Sequence, residues 1–157
     1  MESLTSPRAE RPIMKNNILL IEDDHSQAFL TRMAIDDSKQ ACQVHHINNG
    51  GEAIEFLRRE SQNHRSAVLP NLILLDLNMP GLPGCDVLIK IKEDKNLKVI
   101  PVVIVSPSED EDDVKFSYGR GASGYIYKSM SVDKFFSDIK ACILYWFGAV
   151  ALSRNSA

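Results

Sequence analysis

The chain has 157 residues, a length that suits one domain of ordinary size and excludes two. It is 44% hydrophobic and 25% charged, as in soluble globular proteins, and its net charge of −3 gives it no basic bias toward nucleic acid or anionic membranes. Its three cysteines, Cys42, Cys85 and Cys142, are scattered, which indicates reduced thiols in a cytoplasmic protein rather than a disulfide framework.

Strand-like and helix-like segments alternate along the chain after a polar start. Residues 1–15 contain two prolines and no apolar core of a signal peptide, so we predict a disordered tail. Short apolar runs predict five strands, at residues 18–21, 44–47, 72–75, 99–105 and 124–127. Apolar residues at helical spacing predict five helices, which include residues 28–35, 53–57, 87–91, 112–120 and 132–147. Five successive strand–helix units predict an α/β fold with a doubly wound parallel sheet in the order 2-1-3-4-5.

The last predicted helix is apolar on more than one face, whereas a surface helix needs only one apolar stripe. The residues that form these faces are Val132, Phe135, Phe136, Ile139, Ile143, Leu144, Trp146 and Phe147. The uncharged segment 141–152 continues this surface and is too short to span a bilayer. We therefore predict one domain at 16–147 and a C-terminal extension at 148–157 that contributes to a homodimer interface. The alternative is that the extension folds back over its own domain.

Asp76 directly follows the third predicted strand, whose Leu and Ile residues indicate burial on both faces. A buried ionised carboxylate costs several kcal/mol unless a cation or hydrogen bonds compensate it. We therefore expect Asp76 at the end of the strand, on the edge where parallel α/β sheets bind ligands. At that edge its carboxylate is a candidate nucleophile or metal ligand.

Three more acidic residues, Glu22, Asp23 and Asp24, follow the first strand. The first and third strands are neighbours in such a sheet, so these carboxylates should lie close to Asp76. Carboxylates at this distance repel one another unless a divalent cation lies among them, and an all-oxygen site suits Mg²⁺. Ser106 and Lys128 end the fourth and fifth strands and would supply a hydroxyl and a positive charge for an anion such as a phosphoryl group.

Each of these residues also has an ordinary structural interpretation. Asp24, three residues before Gln27, could only cap a helix, and Ser106 before a proline could only begin a turn. Lys128 alone could be a surface amine. The adjacent His45 and His46 would face opposite sides of a strand, so we interpret them as half-buried histidines and not as metal ligands. The acidic run 109–113 fits a helix N-terminus.

Four ordered motifs nevertheless make the chain resemble the receiver domains of response regulators, the phosphoacceptor half of two-component signalling. The motifs are Ile21-Glu22-Asp23-Asp24, Leu75-Asp76-Leu77-Asn78-Met79-Pro80 with Gly84, Val105-Ser106, and Gly121 to Lys128. The resemblance covers residues 16–147. Segments 77–81, 87–92 and 145–148 are most similar to the stand-alone regulators of phytochrome-type histidine kinases.

The resemblance implies that Asp76 accepts a phosphoryl group from a sensor histidine kinase, which could be a bacteriophytochrome. Mg²⁺, or Mn²⁺, would be coordinated by Asp23, Asp76 and the backbone carbonyl of Asn78. Glu22 would act through a metal-bound water, and Asp24 is an accessory candidate.

The resemblance also assigns Lys128 and Ser106 to the phosphoryl oxygens, and Tyr125 to reporting the change at the surface. Ser106 replaces the commoner threonine of the family. Pro107 removes a backbone N–H and stiffens the loop that carries the hydroxyl. Ser129 stands where the family has a proline, often with a cis bond, and we predict a trans Lys128–Ser129 bond.

The function implied is that of a single-domain response regulator that is not an enzyme and signals through protein–protein contacts. Fewer than a dozen residues follow the last predicted helix, too few for a DNA-binding module. One alternative is a degenerate receiver that signals without phosphorylation. A less favoured one is a small Mg²⁺-dependent phosphatase with an aspartyl nucleophile, which would need a second aspartate where Asn78 stands. The partners implied are a sensor histidine kinase and a downstream protein target.

Overall fold

The computed structural model describes residues 16–152. In chain order the elements are β1 Asn16–Ile21, α1 His25–Asp37, β2 Cys42–Ile47, α2 Gly50–Ser61, β3 Leu72–Leu75, α3 Gly84–Glu93, β4 Val102–Ser106, α4 Glu111–Gly119, β5 Gly124–Tyr127 and α5 Val132–Leu144. A π-helical turn at Tyr145–Ala149 follows α5. The predicted tail at 1–15 and the last five residues of the C-terminal extension lie outside the described residues.

The five strands form one parallel sheet in the order β2-β1-β3-β4-β5, which confirms the predicted fold class and strand order. The register aligns Ile21, the last residue of β1, with Leu75, the last residue of β3. The residues that follow these two strands therefore leave the sheet at the same level, and this alignment brings the acidic segment after β1 to Asp76.

Both faces of the sheet are covered by helices, as the uninterrupted apolar strands predict. Alternate residues of β1, β3 and β4 pack on one side with buried residues of α2 and α3, and the remaining residues pack on the other side with α1 and α5. α4 lies beside β5 and buries only Ser117 completely. Rigid packing on both faces holds the strand ends in fixed positions.

Polar side chains cap the helices that begin at or near the functional edge. Asp24 accepts hydrogen bonds from two backbone N–H groups of α1, so the capping interpretation of this residue is confirmed. Asn49 caps α2 directly before Gly50. Asp110 caps α4, and Glu111 to Asp113 occupy its first turn, where negative charge is favourable.

The structure corrects two predicted boundaries. β4 begins at Val102 rather than at residue 99, because the N–H of Ile100 donates to the carbonyl of Leu97 at 3.0 Å and holds residues 97–100 in a turn. The last α-helix ends at Leu144 rather than near residue 147, where the backbone widens into the π-helical turn. None of the helices in the described part of the chain is long and apolar enough to cross a membrane.

The faces of α5 are less available for an interface than the sequence indicates. Phe135, Ile139 and Ile143 are core residues, and Trp146 and Phe147 pack against the same core. The end of α5 and the start of the turn after it thus pack on the domain itself, while the role predicted for the extension at 148–157 stays a prediction. The large apolar residues that stay exposed on this helix and the turn after it are Val132, Leu144 and Tyr145. The homodimer remains a prediction, with its candidate surface reduced to these side chains.

Candidate functional site

The edge formed by the carboxyl ends of the strands brings together the residues that the sequence places there. Glu22 and Asp23 follow β1, Asp76 follows β3, and Lys128 follows β5. These residues line an open cleft of ≈ 510 Å³. Pro107, Ser129 and Met130 also line it, and of these three only Met130 has no place in the sequence interpretation of the site.

Three carboxylates form the centre of the cleft. Glu22, Asp23 and Asp76 each offer one oxygen, and these oxygens lie within 4.8 Å of one another. Glu22 and Asp76 are each only 3% exposed, whereas Asp23 is half-buried and faces the opening. Three converging hard oxygen donors with an opening to solvent fit an ion such as Mg²⁺ or Mn²⁺, because such ions keep part of their water shell.

Lys128 lies between the two most buried carboxylates. Its Nζ is 2.7 Å from Glu22 Oε2 and 3.2 Å from Asp76 Oδ2, and its side chain is 11% exposed. One positive charge thus partly compensates two buried negative charges. The sequence places Lys128 at the same edge as the acidic residues, and the structure adds that the shorter of its two contacts is with Glu22.

Burial raises the pKa of Glu22 from 4.5 to about 7. The hydrogen bond and the charge of Lys128 lower this pKa, and the neighbouring negative charge of Asp76 raises it, but desolvation is the largest effect. Near neutral pH the Glu22 carboxyl is therefore divided between its protonated and ionised forms. A divalent cation that binds here would displace its proton.

The second oxygen of Asp76 is held by the loop that follows β3. Asp76 Oδ1 accepts a hydrogen bond from the N–H of Asn78 at 3.0 Å, while Oδ2 faces Lys128. Gly84 packs against the same loop, and a Cβ placed on it would clash with the backbone oxygen of Asp76. Only glycine therefore allows α3 to begin this close to the acidic residue. Asn78 lines the cleft, as the predicted role of its backbone requires.

Asp24 differs from the other acidic residues of this segment. It is exposed, and its Oδ1 is bonded at 2.8 Å to the N–H of Ser26 and at 3.1 Å to that of Gln27. It lies at the cleft but is not part of the group of three converging carboxylates. Its accessory role in metal binding stays a prediction.

Ser106 and Tyr125 are connected through the loop after β4. Ser106 is fully buried, and its Oγ accepts a hydrogen bond from the N–H of Ser108 at 3.2 Å. Tyr125 donates its hydroxyl to the Ser108 carbonyl at 2.9 Å. Ser106 is not among the described residues that line the cleft, so its hydroxyl would have to turn away from Ser108 to reach a phosphoryl group. Ser108 is therefore the link between the two predicted switch residues.

The two departures from the family pattern lie directly beside the cleft. The Lys128–Ser129 bond is trans, as predicted, since the described residues contain no cis peptide bond. The N–H of Ser129 donates to the carbonyl of Tyr127 at 2.9 Å, so the residue closes a tight turn after β5. Pro107 is exposed between Ser106 and Ser108.

His46 contacts this site, which sequence reasoning missed. Its Nε2 lies 2.6 Å from the carbonyl oxygen of Glu22. The sequence interpretation of both histidines as half-buried is correct for their burial. Because adjacent residues of β2 face opposite sides of the sheet, His45 and His46 cannot bind one metal ion together. This alternation does not predict that the ring of His46 reaches past the end of β1 to the carbonyl of Glu22.

Comparison with known proteins gives a consistent match along most of the chain. Residues 18–140 match the family model of the response regulator receiver domain. The chain is 34% identical over 135 residues to response regulator Rcp1 of Synechocystis sp. (strain ATCC 27184 / PCC 6803 / Kazusa), covering 86% of this chain and 91% of that protein. It is 31% identical over 140 residues to "Probable methanogenesis regulatory protein FilR2" of Methanothrix harundinacea (strain 6Ac), covering 89% and 87%.

Solved structures of similar proteins have the same fold. The crystal structure of the phosphorylated cyanobacterial phytochrome response regulator RcpA matches with a TM-score of 0.81 and 36% identity, covering 89% of this chain and 99% of that one. The Mn²⁺-bound form of Rcp1 matches with a TM-score of 0.80 and 34% identity, covering 88% and 99%.

Proposed function

We propose that this chain, which belongs to the response regulator receiver domain family, is a stand-alone phosphorylation switch whose phosphoacceptor is Asp76. The observation that carries the proposal is the convergence of Glu22, Asp23 and Asp76 beside Lys128 at one edge of the sheet. A buried carboxylate with a cation on one side and a cation site on the other is suited to receive a phosphoryl group.

In the proposed reaction an oxygen of Asp76 attacks the phosphorus of a phosphohistidine on a sensor kinase. The new P–O bond forms as the P–N bond breaks, and the imidazole leaves with the bonding electron pair and takes up a proton. The product is an acyl phosphate on Asp76. The chain acts as the acceptor in this transfer and is not itself an enzyme in the ordinary sense.

Asp23, Asp76 and the carbonyl of Asn78 would hold Mg²⁺ or Mn²⁺, with Glu22 contributing through a water molecule. The ion would neutralise charge on the transferring group. Lys128 is placed to exchange its contact with Asp76 Oδ2 for one with a phosphoryl oxygen, because the Asp76 carboxylate loses its own negative charge when it is phosphorylated. Ser106 would then leave the Ser108 N–H to bind a second phosphoryl oxygen, which changes the loop that Tyr125 contacts.

For the partner, the names of the similar proteins favour a phytochrome-type sensor histidine kinase, since RcpA is described as a cyanobacterial phytochrome response regulator. The chain spans 91% of the length of Rcp1. We place the protein in the cytoplasm, with a downstream protein target, as a homodimer and without binding to nucleic acid or membrane. The proposed kinase partner can be tested separately: a phytochrome-type kinase should transfer a phosphoryl group to this chain faster than an unrelated histidine kinase does.

The first test is labelling by acetyl phosphate, followed by intact-mass measurement with Mg²⁺ or with EDTA. Wild type should gain the mass of one phosphoryl group with Mg²⁺ only. Asp76→Asn should gain nothing and stay folded, because it keeps the shape and removes a buried charge. Asp36→Asn, in an exposed position near the end of α1, is the matched control and should label like wild type. If wild type folds and binds Mn²⁺ but accepts no phosphoryl group from acetyl phosphate or from a histidine kinase, the degenerate receiver is favoured.

A further inference from the structure

Glu22, the residue that follows β1, forms hydrogen bonds with residues of β2 through both its N–H and its carbonyl. The N–H of Glu22 donates to the carbonyl of Ile47 at 3.1 Å, which continues the parallel ladder by one residue. The carbonyl of Glu22 is 2.6 Å from Nε2 of His46. A carbonyl oxygen can only accept, so Nε2 must carry the proton in this contact.

The ring of His46 replaces a backbone donor that the sheet no longer provides. In a continued parallel ladder the carbonyl of Glu22 would accept from the N–H of Asn49, two residues beyond Ile47. β2 ends at Ile47, however, and Asn49 turns away to cap α2. The side chain of His46 therefore extends the pairing of β1 with β2 by one hydrogen bond beyond the end of the strand.

This hydrogen bond acts on the peptide that joins two of the three carboxylate residues. The carbonyl of Glu22 and the N–H of Asp23 belong to one planar unit, so fixing the carbonyl fixes the direction in which the chain enters Asp23. The N–H of Asp24 is in turn 3.2 Å from Glu22 Oε1. His25, in the first turn of α1, packs edge-on against His46 with 6.0 Å between ring centroids and limits movement of the ring.

We infer that His46 is a positioning residue for the carboxylate cluster, holding the Glu22–Asp23 peptide so that the half-buried Asp23 converges with Glu22 and Asp76. The inference rests on the proposed function, because it gives His46 a role in binding the divalent ion. His46 does not touch the ion in this account. Its effect passes through the main chain, as partners of metal ligands commonly act.

The experiment measures Mn²⁺ affinity by electron paramagnetic resonance and, separately, thermal unfolding of the metal-free protein in EDTA. His46→Leu removes the donor, and we expect it to weaken Mn²⁺ binding about 10-fold, the size reported for loss of such partners. His46→Gln places an N–H at a similar reach and should restore most of the affinity. His46→Asn is too short for the Glu22 carbonyl and should bind as weakly as the leucine variant, which provides a second loss variant should the leucine one not fold.

The matched control is His45→Leu. His45 is the adjacent residue on β2, lies on the opposite face, and packs against Phe56 with 5.8 Å between ring centroids. This variant should keep wild-type Mn²⁺ affinity even where it changes thermal stability. A purely structural role for His46 would lower the unfolding temperature of the metal-free protein and leave the affinity unchanged.

The outcomes separate this inference from the proposed function. If wild type binds no Mn²⁺ and takes no label, the proposed function fails and the inference fails with it. If wild type binds Mn²⁺ but the leucine and asparagine variants bind equally well, His46 has no positioning role, while the proposed function stands. If the glutamine variant binds Mn²⁺ as weakly as the leucine variant, the inference also fails, because restoring an N–H donor to the Glu22 carbonyl would then not restore the affinity.

Discussion

Glu22 provides the sharpest test of the electrostatics of the cleft, because replacing it should stabilise the metal-free protein at pH 8. Its pKa is raised from 4.5 to about 7, chiefly by burial. Between these values the folded protein binds a proton that the unfolded chain has released. Stability is therefore lost as the pH rises from about 4.5 to about 7, and it stays lost at higher pH.

The size of the effect follows from the two pKa values. Their difference of about 2.5, at about 1.4 kcal/mol per pKa unit, corresponds to about 3 kcal/mol of unfolding free energy. Water in the open cleft screens part of this, so we expect Glu22→Gln to raise the free energy of unfolding by about 1–2 kcal/mol at pH 8. At pH 4.5 the two proteins should be nearly equal, because Glu22 is then protonated in the folded protein.

The assay is denaturant unfolding in EDTA at four pH values between 4.5 and 8, for wild type, Glu22→Gln and Glu55→Gln. Glu55 is exposed on α2 and controls for the chemistry of the substitution. Saturating Mg²⁺ should reduce or reverse the advantage of the Glu22 variant, since the bound ion neutralises the carboxylate in wild type. An advantage for Glu22→Gln that does not change with pH, or none at pH 8, would refute the account of burial and charge at this site.

Two further predictions concern the surroundings of the cleft, and a third concerns the oligomeric state. Gly84→Ala should destabilise the fold by about 1–3 kcal/mol in denaturant unfolding, because the methyl group would meet the backbone of Asp76. Gly119→Ala is the control and should not destabilise the fold, because its methyl group would enter open space. Pro107→Ala should increase the response of Tyr125 fluorescence or NMR shifts to beryllofluoride, and equal responses in both proteins would mean that the proline does not restrain the loop. Wild type should sediment as a dimer at tens of micromolar and Tyr145→Glu as a monomer; a monomeric wild type, with and without phosphodonor, would contradict the homodimer.

The fold could be predicted from the sequence because its strands and helices have strong local patterns. The apolar run 72–75 and its neighbours are buried completely on both faces, and alternation with helical segments leaves a parallel sheet as the consistent arrangement. The start of β4 could not be predicted from Val99 and Ile100, because these residues lie in a turn that is closed by a hydrogen bond from the N–H of Ile100 to the carbonyl of Leu97. β-branched residues favour a strand but do not show where it begins.

The sequence predicts those residues of the candidate site whose positions are set by the ends of the strands. Glu22, Asp23, Asp76 and Lys128 converge because the parallel sheet places their strand ends on one edge. The division of Lys128 between two carboxylates depends on side-chain reach, which spacing along the sequence does not show.

The remaining contacts at the site depend on the path of loops. Neither the turn of Ser106 toward Ser108 nor the reach of His46 to the Glu22 carbonyl follows from the pattern along a strand. The sequence likewise does not show that Trp146 and Phe147, in the π-helical turn after α5, pack against the core.

The measurement that tests the central claim most directly is the location of the phosphoryl group after incubation with acetyl phosphate and Mg²⁺. The acyl phosphate would be reduced with borohydride and the modified residue identified by peptide mass spectrometry. We predict modification at Asp76 alone, dependent on Mg²⁺ and abolished in Asp76→Asn. Modification at Asp23 or Asp24 with Asp76 unmodified, or the same label at Asp76 in EDTA, would contradict the account.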